Sequence, residues 1–493
     1  MKEQSKLSKV LSILLSVVLV ISSFYLLYQV IRLNVLPSKF LFPLTIGVVV
    51  LDAIFILLLI YFSKNVVSKI VCIVLTLFIC VASCMGGYYI SKTQNVLSSI
   101  TNVAKHAKNT VSVIVKESSS IKNKSQLNGV SVGSLRLNEQ GSKKALKELS
   151  GEGIVLNQKE YDSMTALLEA FYNGEVDSII INESSRSQIL DMETYSNFDS
   201  NTRVVYQTSY KVKNNDSATS VSDITSKPFN VLISGSDTRG GFDENGRSDV
   251  IMIATVNPKT HTILLTSVPR DFYVTTACDA GDGCMQGALD KITHTGIHGT
   301  NTTKRTVEQL LGIEINYTFK VGFDTVTELV DVLGGVDVYV EPGYATTTSE
   351  FSVHEGVNHL NAQQALAFAR ERYSYTEGDR QRTKNQQQVL MGIVKEVTKP
   401  SVITNYAAIM DTMANTFSTT MSNAEITDLI KYQLNNNLTW KMEQYMVDGT
   451  GDTLMCAELG DAASVMVPDQ STVKMAKDKI NAVLAGKSSE DVK

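Results

Sequence analysis

Phe229-Asn230-Val231-Leu232-Ile233 is followed by Val250-Ile251-Met252-Ile253-Ala254-Thr255-Val256 and then by Ile263-Leu264-Leu265-Thr266-Ser267-Val268. All three runs are rich in apolar and β-branched residues. Short runs of this kind read as strands, and the near absence of polar alternation reads as a sheet covered on both faces. The turn Asn257-Pro258-Lys259-Thr260 separates the second run from the third. Downstream the pattern predicts a helix at 306–311, a strand at 317–321, an amphipathic helix at 324–332 stopped by Gly334-Gly335, and a strand at 336–340. Helices at 362–370, 386–398, 403–415 and 424–434 follow, then a strand at 438–445 and a last helix from Ser471. The expectation is an α/β domain over 222–487.

Upstream, 127–184 alternates strand and helix on a smaller scale. Strands are predicted at 129–135, 154–157 and 176–182, with helices at 141–149 and 161–172 and another starting at Ser184. This is a small α/β accessory domain, placed at 95–215. Its phrases Leu127-Asn128-Gly129-Val130-Ser131-Val132-Gly133 and Gly174-Glu175-Val176-Asp177-Ser178-Ile179 resemble one lobe of an extracellular solute-binding protein; a spacer or docking role is the plainer reading. The segment 95–120 reads as a polar connector and 211–226 as a linker rich in Asn, Ser, Asp and Thr.

The first 94 residues read as an anchor. Apolar runs at 11–31, 40–62 and 70–90 each have the length a helix needs to cross hydrocarbon, about 20 residues. Three such runs argue against a cleaved signal peptide. Lys2, Lys6 and Lys9 precede the first run, and Lys64 and Lys69 separate the second from the third. The positive-inside rule then puts the N-terminus and second loop in the cytoplasm, and everything after Ser91 outside a multi-pass cell membrane. Asp52 stands inside the second run with no role assigned. Among 493 residues the formal net charge is -5, so no overall basic field draws the chain to nucleic acid. Cys278 and Cys284 are close enough to close a small loop outside the membrane.

Four clusters carry chemistry. Gly235-Ser236-Asp237-Thr238-Arg239 follows one strand, Arg247-Ser248-Asp249 precedes the next, and Val268-Pro269-Arg270-Asp271 follows a third. The fourth runs Ala367-Phe368-Ala369-Arg370-Glu371-Arg372, Gly378-Asp379-Arg380-Gln381-Arg382 and Gln386-Gln387. Ligand crevices form at strand ends in α/β sheets. Arginine forks neutralise phosphate oxygens with paired hydrogen bonds. Magnesium takes one or two carboxylates and completes its shell with phosphate and water, and Asp237 and Asp249 are the candidate carboxylates. Any one of these residues alone is a surface ion pair or a turn former; the set points to a pyrophosphate.

These phrases, with Asp290-Lys291-Ile292-Thr293-His294, Val332-Leu333-Gly334-Gly335-Val336 and Leu360-Asn361-Ala362, resemble the LytR-CpsA-Psr family from about 229 to 398. The membrane segments and accessory domain resemble the capsule-locus type within it. The resemblance implies a central mixed sheet sandwiched by helices. It also implies an enzyme that moves capsular polysaccharide or a related glycopolymer from an undecaprenyl-pyrophosphate carrier to peptidoglycan. It implies magnesium (or manganese) on Asp237 and Asp249. Arg247, Arg270, Arg370, Arg372, Arg382 and Gln386 would bind the pyrophosphate. Arg270, Asp271 and Asp379 would be catalytic, with Asp271 and Asp379 accepting a proton or orienting an arginine. Capsule polymerase and length-control proteins are further candidate partners. Where the family often has arginine before the Gln-Gln pair, this chain has Asn385, which puts one clamp charge in doubt unless Arg380 compensates. The apolar runs at 229–233, 263–268 and 336–340 are candidates to line a prenyl tunnel. His294 is second-tier. The competing classes are a transcriptional regulator, opposed by the outward orientation and acidic balance, and a non-catalytic docking partner of capsule machinery.

Overall fold

The computed structural model describes residues 2–62, 66–101, 106–136, 139–236, 244–279, 282, 284–399, 402–414 and 417–492. They fall into two compact units, one of 1–101, 396–414 and 422–439, the other of 102–395, 415–421 and 440–493. The first unit holds three helices long and apolar enough to cross a membrane, Lys9–Leu33, Ser38–Tyr61 and Val66–Thr101. Asp52 accepts a hydrogen bond from Ser23 Oγ at 2.9 Å, so the carboxylate within the second helix has a polar partner. Helices Val402–Met413 and Asn423–Asn436 group with this unit. Lys92 meets Asp411 there at 2.7 Å.

Two large sheets, with two-stranded ribbons beside them, make up the β structure described in the second unit. The smaller sheet has the order Asn157–Tyr161, Ser131–Leu135, Ser178–Asn182, His106–Lys116, Thr202–Lys213. The expected connector at 95–120 is therefore wrong. It holds the end of the third helix, which runs to Thr101, and then a strand of the sheet's interior that pairs on both edges. Asn109, Thr110 and Ser112 give the stretch a polar look, yet Val111, Val113, Ile114 and Val115 are fully buried. β-branched residues on a pleated, covered surface outweigh the polar composition.

The larger sheet is mixed, in the order Phe417–Thr419, Tyr317–Gly322, Phe229–Ser236, Ser248–Asn257, Thr262–Val268, Lys441–Met446. Tyr317–Gly322 pairs parallel with Phe229–Ser236, and Lys441–Met446 parallel with Thr262–Val268; the other pairings are antiparallel. Successive side chains on a strand point to opposite faces. Leu232, Ile251 and Ile253 thus enter one core with Val307 and Leu311 from helix Thr300–Leu311 and Val473, Ala476 and Ile480 from helix Gln470–Leu484. Their neighbours Ile233, Val250 and Met252 face the other side, towards helices Phe323–Leu333, Ala362–Arg370 and Asp379–Val397. The sheet is sandwiched by helices, as the resemblance implies. Strand Val336–Val340 is not part of it; it pairs with Gly356–Leu360 as a separate ribbon. Cys278 and Cys284 are disulfide-bonded.

Candidate functional site

Ile251 lies opposite Val268 in the antiparallel pair. Asp249, near the start of one strand, and Pro269-Arg270-Asp271, just past the end of the other, therefore emerge at the same sheet edge. Helix Asp379–Val397 begins seven residues before the expected 386. Gly378 takes a positive φ of 54° and Asp379 opens the first turn, where a carboxylate suits the helix dipole. Asp379, Arg382 and Gln386 then recur at helical spacing along one side. They join Asp249, Arg270 and Asp271 around a cleft of about 190 Å³. Its far wall is the hairpin of Gly449–Cys456 and Asp461–Pro468, which contributes Gly451, Ser464, Val465 and Met466.

The cleft is electrostatically crowded. Arg270 Nη1 donates to Asp249 Oδ1 at 2.8 Å, and its Nε stands 3.8 Å from Asp271 Oδ2. Burial pulls the Arg270 guanidinium towards deprotonation, but Asp249 and Asp271 outweigh it and its pKa is raised. Asp271 also lies 3.3 Å from Lys291 Nζ. Arg382 Nη2 donates to Asp379 Oδ2 at 2.6 Å, and Arg372 Nη1 is 3.6 Å from the other oxygen. The Arg382 pKa is lowered, first by burial and then by the positive charges of Arg270 and Arg372, against the pull of Asp379 and Asp249. Arginines this close repel one another unless an anion sits among them. Among the described residues the Arg270 Nε is buried with no hydrogen-bond partner, a donor still to be satisfied.

Beside the cleft runs a second space of about 80 Å³ with an apolar lining. Ile233, Gly235, Val250 and Met252 form its floor, and Leu366, Val389, Leu390 and Ile393 its roof. Gly235 leaves room there: a Cβ would stand 2.8 Å from Val250 Cβ. Val250 and Gln386 line both spaces, so the polar cleft and the apolar groove adjoin. Of the three runs expected to line such a space, only 229–233 contributes, through Ile233. Leu264, Leu265 and Val268 in 263–268, and Val336, Val338 and Val340 in 336–340, are buried side chains outside it. Those runs pack in cores, and the groove walls come instead from helices.

The remaining candidates are placed as follows. Arg380 lines the cleft, but its guanidinium is held by Asp448 at 2.8 Å and by the Gly449 carbonyl at 2.9 Å. Asn385 is buried: its Nδ2 donates to the Phe368 carbonyl at 3.0 Å and its Oδ1 accepts from Gln381 Nε2 at 3.0 Å. It ties helix Ala362–Arg370 to helix Asp379–Val397 and is not a cleft residue. Gln387 is also buried, donating to the carbonyls of Tyr445 and Leu265. Arg370 ends its helix exposed and Arg372 stacks on Tyr373; neither lines the cleft. Arg247 is drawn away to Asp191 of the smaller sheet's region. Asp237 lies outside the described residues. His294 Nδ1 pairs with Asp290 at 2.7 Å in a buried setting apart from the cleft. The hairpin wall was not anticipated, nor was the part the helices play as groove walls; the short apolar run Val465-Met466-Val467 before Pro468 was the available signal for a strand there.

Comparison with known proteins matches the LytR_cpsA_psr family model over residues 194–482, more than half of the chain. The chain belongs to the LytR_cpsA_psr family. Among family relatives, the polyisoprenyl-teichoic acid–peptidoglycan teichoic acid transferase TagU of Bacillus cereus (strain AH820) is 33% identical over 207 residues, which is 42% of this chain and 65% of that protein. TagU of Bacillus subtilis (strain 168) is 35% identical over 196 residues, 40% of this chain and 60% of that protein. The chain thus spans under two thirds of the length of these two relatives. A crystal structure of protein gbs0355 from Streptococcus agalactiae is 25% identical, covers 53% of this chain and 89% of its own, and superposes with a TM-score of 0.45.

Proposed function

We propose that this family member transfers a glycopolymer, such as capsular polysaccharide, from a polyprenyl-pyrophosphate carrier to peptidoglycan on the outer side of the membrane. One observation carries the reading. A cleft holding Arg270 and Arg382 adjoins an apolar groove through Val250 and Gln386. That pairing suits a ligand with a polyanionic head and an apolar tail. The names of the TagU relatives, which are transferases of polyisoprenyl-linked teichoic acid to peptidoglycan, support the same class of substrate. The three long apolar helices support membrane anchoring, and the lysine distribution around them supports the outward orientation.

In the reaction the acceptor hydroxyl attacks the sugar-proximal phosphorus. A new P–O bond forms to the acceptor, the bond to the bridging oxygen breaks, and the lipid monophosphate leaves. Arg270 and Arg382 hold the non-bridging oxygens and meet the charge that develops, so catalysis is positioning and electrostatics. Asp271 and Asp379 border the cleft and are the candidates to accept the hydroxyl proton. Both are engaged by basic side chains in this structure, which equally suits them to aim arginines. Asp249 would hold magnesium. Among the described residues no three His, Cys, Asp or Glu side chains could hold a metal together. Magnesium draws most of its ligands from phosphate and water, so one or two carboxylates are enough to hold it beside a pyrophosphate. When bound, the ion would supply positive charge against the pyrophosphate oxygens.

The test is transfer by the full-length protein in detergent, with lipid-linked polymer and isolated peptidoglycan. Covalent attachment that requires magnesium and falls in Asp249→Ala is expected. No attachment by a folded parent protein given both substrates would refute the reading.

A further inference from the structure

Arg247 stands two residues from Asp249, yet it does not line the cleft. Its Nη1 is paired with Asp191 Oδ2, at the end of helix Arg186–Asp191 in the accessory part of the unit. Its Nε is 4.0 Å from Asp249 Oδ1, too long for a hydrogen bond, and among the described residues it is buried without a partner. The two ends of the ion pair are unequal: the Arg247 side chain is 12% exposed and that of Asp191 58% exposed.

We propose that Asp191 is a positioning residue that holds Arg247 off the pyrophosphate site and gives it up to phosphate when ligand arrives. The inference rests on the function proposed above. An arginine needs two acceptors to use its fork, and here one arm has a carboxylate while the Nε has none. A phosphate oxygen arriving beside Asp249 would satisfy that Nε. Asp191, already more than half in water, loses little on release, because an exposed ion pair is weak and its carboxylate rehydrates. A dianionic phosphate is the stronger partner for a mostly buried guanidinium.

The backbone around Arg247 is meanwhile pinned from the same side. Glu244 is buried, accepts a hydrogen bond from Thr110 Oγ1 at 2.5 Å and meets Lys108 Nζ at 3.1 Å, both on strand His106–Lys116. The Glu244 carbonyl accepts from Lys320 Nζ at 2.8 Å. With Glu244 fixed and Ser248 already in the sheet, the exchange is a swing of the Arg247 side chain and not a movement of the chain. The accessory domain thereby sets the resting affinity of the clamp.

The test is calorimetric titration of the full-length protein in detergent with inorganic pyrophosphate and magnesium. Asp191→Asn and Asp191→Ala are each expected to bind roughly two- to fivefold more tightly than the parent, the reach of one exposed ion pair. Asp191→Glu is expected to stay near the parent. In an Arg247→Ala background, substituting Asp191 is expected to change nothing, since the effect acts through that arginine. A parent that binds while Asp191→Asn and Asp191→Ala bind equally or more weakly would overturn this inference and leave the function standing. So would a gain that persists without Arg247. A folded parent that binds no pyrophosphate would overturn both.

Discussion

Under the proposed function Arg270 is the side chain on which the pyrophosphate clamp depends, and its replacement has two separable consequences. The first is on the ligand. If both arms of the fork meet phosphate oxygens, Arg270→Lys keeps the charge and loses one charge-assisted bond, since lysine is a point donor. Such a bond is worth about 1.5–3 kcal/mol, which is roughly ten- to a hundredfold in transfer rate. The second is on the protein. Arg270 Nη1 is 2.8 Å from Asp249, whose side chain is only 12% exposed, and the next cation is Arg247 at 4.0 Å. Arg270→Ala therefore strands a mostly buried carboxylate, costing about 1–3 kcal/mol of stability. Adding Asp249→Asn removes the stranded charge, so the double variant should regain stability while remaining inactive. Transfer to peptidoglycan and thermal unfolding followed by the single tryptophan, Trp440, read the two effects independently. If Arg270→Lys transfers at the parental rate, bidentate clamping is wrong. If the double variant regains activity with stability, Arg270 only supports Asp249 and does not grip ligand.

The groove and the clamp should separate by mutation: Leu390→Lys is expected to weaken binding of a long polyprenyl pyrophosphate about tenfold or more, by burying a charge against the tail, and to leave inorganic pyrophosphate binding unchanged. Equal losses for both ligands would detach the groove from the tail. Glu443 is buried; burial alone would raise its pKa, but Lys441, Ser489 and Ser488 bring it down to about 2. Because the folded value lies below the unfolded one, its stabilisation is present above pH 4.5 and fades as pH falls towards 2. The deficit of Glu443→Gln against the parent, measured by denaturant unfolding, should therefore shrink across that window, and a deficit independent of pH would contradict it. Protease added to wall-stripped intact cells should remove the part after Ser91; protection until lysis would reverse the topology.

Much of this architecture was legible because the covered strands declare themselves. Phe229 to Ile233 and 250–256 are apolar on both faces, so neither a register nor a partner had to be guessed to see that helices cover them. The convergence of Asp249, Arg270 and Arg382 on one cleft was legible for a related reason: they are polar groups near element ends, where packing does not require them. What escaped depended on tertiary pairing. The strand at 106–116 carries Asn109, Thr110 and Ser112, and its burial follows from neighbours on both edges that arrive later in the chain. Asn385 looked like a missing clamp charge, but the helical turn begun at Asp379 aims it at the Phe368 carbonyl. The partner of Arg247 could not be read at all, since Asp191 stands 56 residues away on another sheet's helix.

Whether one ligand joins the arginine cleft to the apolar groove is decided by a structure of the full-length protein with polyprenyl pyrophosphate and magnesium. The phosphates are expected between Arg270 and Arg382 beside Asp249, with the prenyl chain passing Val250 and Gln386 to run between Met252 and Leu390. Phosphates bound away from these arginines, or a tail lying outside the groove with the groove closed, would contradict it.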